Sequence, residues 1–149
     1  MANIEEEIKS KFISIKHKAV INVVFTANWI NSESNNILRP FGISIQQFNI
    51  LRILRGSKGT PLSVQTIKER MVERAPNITR LMDKLLEKEL IGRVRCEHDR
   101  RVVFIEIMPE GLKLLSKLDE IFPQSNQMVD NITEKEAEEL NRILNKLRG

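Results

Sequence analysis

Apolar residues recur at steps of three or four from Ile4 to Ile30. This spacing places them on one stripe of an α-helix, and we predict a single long amphipathic helix of about seven turns over this segment. A second apolar strip runs along the same helix and consists of Val20, Val24, Phe25 and Trp29. Because apolar surface lies on more than one side, the helix needs further cover, which a partner chain would supply.

The chain then breaks into shorter elements. The segment SESNNILRPFG is rich in residues that favour turns, and it predicts a loop. Ser44 is suited to cap a helix from Ile45 to Gly56, and Ser63 is suited to cap a short helix around Ile67. Pro76 fits the first turn of a fourth helix, where its missing N–H costs nothing.

The fourth helix has two unlike faces. Its apolar positions are Ile78, Leu81, Met82, Leu85 and Leu86. Its polar positions are Asn77, Thr79, Arg80, Asp83 and Lys84. Two β-prone runs, residues 93–96 and 102–107, follow on either side of the polar turn EHDRR and predict a β-hairpin.

The C-terminal part is again helical. Pro109 and Gly111 open a helix that Pro123 ends or kinks, and Thr133 with Glu136 has the spacing of a capping box for a last helix. The order of helices and hairpin is typical of a winged helix-turn-helix with extra helices at both ends. We therefore predict a mainly α fold with a small β-hairpin wing.

The composition agrees with one soluble domain. The chain has 149 residues, of which 41% are hydrophobic and 30% are charged. No apolar run approaches the roughly 20 residues that span a bilayer, and the start MANIEEEIKSK is acidic where a signal peptide is basic and then apolar. We therefore expect a cytoplasmic protein without a membrane partner.

The charge is distributed unevenly. The formal net charge is +4, which alone is weak evidence for a nucleic-acid partner. Residues 62–101 carry 10 Lys and Arg against 7 Asp and Glu, whereas residues 102–149 carry 6 against 9. Positive charge thus avoids the C-terminal third of the chain.

Two segments resemble a known family. TRLMDKLLEKELI is similar to the recognition-helix signature of the MarR (multiple antibiotic resistance regulator) family, and DRRVVFIEIMPEG is similar to its Asp-x-Arg wing signature. The resemblance implies one domain over residues 1–149, with a winged helix-turn-helix lobe at about 44–108 and dimerisation helices at about 4–32 and 110–147. It also implies a homodimeric, ligand-responsive repressor of transcription that binds a pseudo-palindromic double-stranded DNA operator.

The resemblance makes the fourth helix the recognition helix in the major groove. Asn77 and Arg80 offer the donors and acceptors that base edges require, so they are the candidates for base contacts. Thr79 and Lys84 are candidates for phosphates or the margin of the site. Arg74, just before the helix, is placed to reach the DNA backbone.

The wing would enter the minor groove. Arg101 falls at the family's wing arginine, and a narrow minor groove concentrates the negative potential that attracts a guanidinium. Asp99 falls at the family's aspartate, and we expect it to hold an arginine in position because phosphates would repel it. Arg95, His98 and Arg100 surround it and are candidates for phosphate contacts.

A possible effector pocket involves four aromatic residues, Phe25, Trp29, Phe41 and Phe48. They have two interpretations: packing in the core, or lining a cavity for the small aromatic or anionic effectors that the resemblance implies. His17, between two lysines, is interpreted as a solvated residue.

Other kinds of chemistry find little support. Cys96 and His98 cannot complete a structural zinc site, which normally takes four ligands, so we predict no metal and no cofactor. Cys96 is either a plain strand cysteine or a thiol made reactive by its basic neighbours. The chain lacks a phosphate-binding loop, a nucleophile elbow and a histidine cluster, so we predict no enzyme.

A protein-binding adaptor and a non-specific architectural protein remain as alternative functions. The arginines on the hairpin favour a DNA-binding protein over the adaptor.

Overall fold

A computed structural model of the chain describes residues 3–73, 77–125 and 127–149. The elements are α1 (Ile4–Ile8), α2 (Ile15–Leu38), a 3₁₀ turn (Arg39–Phe41), α3 (Ile45–Gly56), β1 (Leu62–Ser63), α4 (Val64–Arg70), α5 (Ile78–Glu87), β2 (Ile91–Arg95), β3 (Val103–Ile107), α6 (Pro109–Ser125), α7 (Gln127–Asp130) and α8 (Glu134–Arg148). The fold is mainly α with a small antiparallel sheet, which confirms the predicted fold class.

The prediction of one long first helix is wrong, because the chain forms α1 and α2 with a break between them. Lys9 ends α1 in the left-handed region at φ 48°, which a right-handed helix cannot continue. Ser14 then caps α2, its Oγ accepting the N–H of His17 at 3.1 Å. The spacing of apolar residues indicates which residues share one face of a helix. It does not reveal a short break that leaves this spacing unchanged.

The loop predicted for SESNNILRPFG is also wrong over most of its length. Helix α2 continues to Leu38, and the 3₁₀ turn follows before Gly42 reverses the chain at φ 70°. The side chain of Leu38 is fully buried, and Asn35 Oδ1 accepts the N–H of Ile45 at 3.0 Å. These tertiary contacts outweigh local helix preferences, which differ by less than about 1 kcal/mol per residue among ordinary residues.

The predicted helix caps are present. Ser44 and Gln47 form a reciprocal capping box at the start of α3, with bonds of 3.2 and 2.9 Å. Ser63 Oγ accepts the N–H of Thr66 at 3.1 Å and caps α4. The capping box predicted at the start of α8 is present too.

The sheet has the strand order β1-β3-β2, and both pairings are antiparallel. The hairpin pairs Ile91 with Ile107 and Arg95 with Val103, as predicted apart from its exact ends. Strand β1 was not predicted. It consists of two residues, of which Ser63 pairs with Phe104, and such a segment is too short to show an alternating pattern.

The core lies between α3, α5, the sheet and α6. Its fully buried side chains are Leu38, Ile50, Leu51, Leu54, Ile67, Leu85, Ile105, Leu115 and Leu118. On its surface, Arg55 of α3 binds the carboxylate of Asp119 in α6 through two hydrogen bonds of 2.6 and 3.1 Å. The core therefore joins the wing, α5 and α6 into one lobe.

Helices α2 and α8 leave apolar side chains in solvent. The exposed ones include Val20, Val24, Trp29, Leu140, Ile143 and Leu147. Patches of this kind usually mark an interaction surface. Within the described ranges, we find no helix with the length and apolar character needed to cross a bilayer.

One residue of α2 differs from its predicted environment. His17 was interpreted as solvated, but it is half-buried, and its ring lies 6.1 Å from the ring of Phe12. Its Nδ1 is buried and has no hydrogen-bond partner among the residues that the structure describes. The chain between α1 and α2 folds back and brings Phe12 onto the histidine, which its lysine neighbours in sequence could not indicate.

Candidate nucleic-acid interface

Helix α5 turns an apolar face inward and a polar face outward. Ile78, Leu81, Met82 and Leu85 are buried in the core, and Leu86 is half-buried. The outward-facing residues Asn77, Thr79, Arg80 and Lys84 are all exposed. The interior contacts therefore fix the helix by one side and leave its polar side chains available. The predicted site residue Arg74 and the predicted helix-starting Pro76 lie outside the described residues.

Asn77 stands at the start of α5. It is the N-cap residue, with φ −103° and ψ 28°, and its side chain makes no capping hydrogen bond. The helix thus leaves the amide group of Asn77 to other partners. Amide side chains can pair bidentately with adenine, so the geometry is compatible with a base contact.

An ion pair joins α5 to the wing. Asp83 accepts a hydrogen bond from the guanidinium of Arg93 on β2 at 2.9 Å. A cavity of about 200 Å³ lies beside this pair, between α5 and the sheet, and Thr79 contributes to its lining. The sequence reasoning missed Arg93. Its place on the polar side of a strand was readable, but its pairing with an acidic residue of α5 depends on how helix and sheet pack.

The C-terminal end of α5 is tied to the 3₁₀ turn that follows α2. Glu89 closes the helix in the left-handed region at φ 57°, and Lys88 donates a hydrogen bond to the carbonyl of Gly42. A Cβ added at Gly42 would lie 2.7 Å from the Lys88 ammonium, because the lysine side chain occupies the space beside this glycine. Helix α5 is therefore held at its C-terminal end as well as along its apolar face.

The tip of the wing is a tight turn organised by Asp99. The N–H of Val102 donates to the Asp99 carbonyl at 3.1 Å, which closes a β-turn. The N–H of Arg101 donates to Asp99 Oδ1 at 2.9 Å, an interaction typical of aspartate at the first position of a turn. Asp99 therefore supports the backbone of Arg101, and its effect on DNA binding stays a prediction.

The turn presents the predicted wing residues to solvent. Arg95, His98, Arg100 and Arg101 are exposed, and a concavity of about 460 Å³ lies between Arg95, Cys96, Glu97 and Arg100. In the described ranges, Arg93 is the one wing arginine that forms an ion pair. The remaining wing arginines and Arg80 thus carry charge that a polyanion could neutralise.

Cys96 and His98 stay isolated from further ligands. Cys96 is a half-buried free thiol whose N–H donates to the Val102 carbonyl at 3.3 Å. Among the described residues, no group of three or more His, Cys, Asp or Glu side chains is arranged to hold a metal ion.

The four aromatic residues proposed for an effector pocket have different environments. Phe48 is buried and stacks on Phe122, with ring centroids 4.8 Å apart and planes 4° from parallel, and Phe41 packs on the core. Phe25 is half-buried, and Trp29 is 44% exposed. The packing interpretation thus fits Phe48 and Phe41. The two cavities described above are lined by other residues, so the effector pocket stays a prediction.

The chain is similar to known regulators over most of its length. Residues 43–103, which include α5 and most of the wing, match the model of the MarR family. The HTH-type transcriptional regulator MhqR of Bacillus subtilis is 30% identical over 122 residues, which make up 79% of this chain and 81% of that protein.

Solved structures extend the likeness to three dimensions. The crystal structure of a MarR transcription factor from Planctomyces limnophilus is 32% identical, with a TM-score of 0.70 that covers 91% of this chain and 98% of that one. S. aureus MepR in complex with DNA is 22% identical, with a TM-score of 0.74 over 86% of this chain and 94% of that one. The organohalide-sensing regulator RdhR in its 2,4-dichlorophenol-bound form is also 22% identical, with a TM-score of 0.81 over 91% of this chain and 80% of that one. At 22% identity, the likeness to MepR and to RdhR shows that these two proteins share the fold of this chain.

The likeness to MhqR and to the Planctomyces protein covers 79% and 91% of this chain, which is more than residues 43–103 alone. The chain belongs to the MarR family of DNA-binding transcriptional regulators.

Proposed function

We propose that two copies of this chain bind a pseudo-palindromic operator, with α5 in the major groove and the β2–β3 wing in the adjacent minor groove of each half-site. One observation carries this proposal: the exposed polar face of α5 and the unpaired wing arginines belong to one lobe with a common core. S. aureus MepR, which shares the fold, was solved bound to DNA.

The residues of α5 divide by their chemistry. Arg80 is exposed near the start of the helix, and its planar guanidinium can pair bidentately with guanine. Asn77 is the second candidate for a base edge. Thr79 and Lys84 flank the same exposed face and suit phosphate contacts, which position a protein without reading sequence. Arg74, in the segment before α5, is proposed as a further backbone contact.

The wing contributes positive charge at a second place. Arg101 is proposed to enter the minor groove, because a narrow groove attracts a guanidinium without a base-specific bond. Arg95, His98 and Arg100 are proposed to contact phosphates beside it. Asp99 takes no part in the contact and holds the turn.

Dimerisation is proposed to use the first helices and the last two, where apolar side chains are left in solvent. A twofold axis relating two α5 helices then explains a pseudo-palindromic operator. We further propose repression in the cytoplasm, relieved by a small aromatic or anionic effector near Phe25, Trp29, Phe41 and Phe48. RdhR, which shares the fold, was solved with a chlorinated phenol bound.

The test compares Arg80→Ala with Arg101→Ala on a duplex obtained by binding-site selection. Loss of Arg80 is expected to cost about 1–3 kcal/mol on that duplex and to relax preference at one position of each half-site. Loss of Arg101 is expected to weaken binding most when the flanks are A·T-rich and to reduce the salt dependence. Lys117→Ala, which removes an exposed charge from α6, is the matched control.

Titrations at several salt concentrations, with circular dichroism to confirm folding, measure both effects. An Arg101→Ala protein with unchanged affinity and salt slope would remove the wing from the mechanism. If both variants bind as tightly as the wild type, DNA recognition by this lobe is wrong, and the protein-binding adaptor takes its place.

A further inference from the structure

We propose that Gln47 is a positioning residue for DNA recognition: its buried amide fixes the recognition helix α5 by hydrogen bonding to the backbone of Leu81. This inference rests on the proposed role of α5 and assigns a function to a residue that makes no contact with DNA.

The side chain of Gln47 is buried in an otherwise apolar region. It is 5% exposed, and the other members of the core around it are hydrophobic. Burying an amide costs free energy unless its polar atoms find partners. Both ends of this amide do, because Oε1 accepts the N–H of Ser44 at 2.9 Å and Nε2 donates to the Leu81 carbonyl at 3.3 Å.

The second of these bonds connects α3 to α5. Leu81 lies in the middle of α5, one residue after Arg80, so the bond acts on the backbone that carries the base-reading face. Apolar contacts are tolerant of small rotations and shifts along a helix axis, whereas a hydrogen bond fixes a distance and a direction. The Gln47 amide therefore defines the rotation and the height of α5 in a way that Leu81, Met82 and Leu85 cannot define by packing alone.

The Gln47 amide is itself held in place. Its oxygen is part of the α3 capping box, and the next N–H along the chain, that of Ile45, donates to Asn35 of α2 at 3.0 Å. The start of α3 is thus anchored to α2 on one side and to α5 on the other. Through these hydrogen bonds, the position of α5 depends on the position of α2.

Three variants separate positioning from capping. Gln47→Met has similar length and removes both hydrogen bonds without burying a charge. Gln47→Glu keeps the acceptor that the capping box requires and, when its carboxyl is ionised at alkaline pH, loses the donor to Leu81. Ser44→Ala weakens the cap and leaves the amide of Gln47 intact. Gln46→Glu, at a neighbouring position with no hydrogen bond from its side chain to any described residue, controls for added negative charge.

The readout is discrimination, which is the ratio of the Kd on a scrambled duplex to the Kd on the selected duplex. It is measured well below the melting temperature of each variant and corrected for the active fraction, so a loss of stability alone does not change it. We expect Gln47→Met and Gln47→Glu to lower this ratio about 2- to 10-fold, the range that one neutral hydrogen bond is worth. Ser44→Ala and Gln46→Glu are expected to keep the wild-type ratio.

Two results would overturn the proposal: discrimination unchanged in Gln47→Met, or an equal loss in Ser44→Ala, which would make Gln47 a helix cap alone. If Gln47→Glu does not fold, the comparison of Gln47→Met with Ser44→Ala still decides. Arg80→Ala is measured in parallel as a test of the proposed function itself. If the wild-type protein shows no preference for the selected duplex, the proposed function is wrong, and the role of Gln47 is not the cause.

Discussion

Asp99 serves the wing through two acceptors, its carbonyl and its carboxylate, and only the carboxylate can be removed by substitution. Asp99→Ala is expected to loosen the backbone of Arg101 and to weaken DNA binding about 2- to 10-fold, because one hydrogen bond of about 0.5–1.5 kcal/mol is lost. The measurement is a fluorescence-anisotropy titration on the selected duplex.

Asp99→Asn is the matched control, since it keeps the acceptor atom and removes the negative charge. It is expected to bind at least as tightly as the wild type. If Asn weakens binding as much as Ala does, the aspartate acts through its charge and the backbone bond is irrelevant to binding.

Asp119 makes a small contribution to stability that depends on pH. Its hydrogen bonds to the Arg55 guanidinium lower the pKa of the Asp119 carboxyl in the folded state. A lowered folded-state pKa adds stability above the unfolded value of about 4, and this stability is lost as the pH falls through the folded pKa. The pair is partly exposed, so we expect Asp119→Asn to cost only about 0.5 kcal/mol at pH 7.

Urea unfolding at pH 7 and at about pH 3 tests the sign. The difference in unfolding free energy between wild type and Asp119→Asn should be present at pH 7 and should shrink toward zero in acid. Glu120→Gln removes the neighbouring exposed carboxylate and is expected to change stability little at either pH. A difference that grows in acid would show that the ion pair is not the cause.

At the scale of elements, Gly111 sets how closely α6 approaches the wing. A Cβ at this position would lie 2.3 Å from the Leu90 carbonyl and 2.8 Å from Ile107 Cγ1. We expect Gly111→Ala to destabilise the protein by about 1–3 kcal/mol through overpacking, although alanine is the better helix former. Thermal unfolding followed by circular dichroism measures the effect.

Gly56 gives the matched substitution, because it ends α3 and a Cβ there meets nothing within 4 Å. Gly56→Ala is expected to leave stability unchanged or to raise it slightly. Equal effects at the two glycines would contradict the close approach of α6 to the wing.

The elements also show where sequence reasoning succeeds. The caps at Ser44 and Ser63, the two-faced α5 and the hairpin each depend on residues a few positions apart, and such local patterns were predicted correctly. The helical course to Leu38 depends on contacts with other elements, and the break after Lys9 preserves the apolar spacing and so leaves no signal in it. Strand β1 exists only because β3 lies beside it, so its two residues carry no signal of their own.

The candidate site divides in the same way. Exposure of Arg80 and of the wing arginines followed from periodicity and from the family signature. The Asp83–Arg93 pair and the buried amide of Gln47 arise from packing between elements, and a polar residue within an apolar helix pattern was the only hint of the latter. The titrations of Arg80→Ala and Arg101→Ala test which of these side chains contact DNA.

For the whole molecule, the exposed apolar face of α8 predicts an obligate dimer. Ile143 is 48% exposed in the single chain, and Ile143→Asp would place a charge in the interface. Sedimentation equilibrium at micromolar concentration is expected to show twice the chain mass of 17.3 kDa for the wild type and monomer for the variant. Asn145→Asp introduces the same side chain on the opposite face of α8 and should stay dimeric.

The same dimer fixes the operator. Footprinting of the wild type is expected to reveal two half-sites whose centres lie about 10 base pairs apart, one turn of the double helix. Ile143→Asp should lose this paired footprint along with the dimer. A single half-site protected by the wild type, or a monomeric wild type, would contradict the twofold arrangement.

Ser63 belongs to two elements at once, pairing with Phe104 in the sheet and capping α4 with its hydroxyl. No residue separates β1 from α4, so we expect α4 and the wing to tilt together. We therefore expect these two parts to move as one rigid body in any rearrangement of the chain. In terms of local unfolding, they form one cooperative unit whose amide protons should exchange together with those of β3.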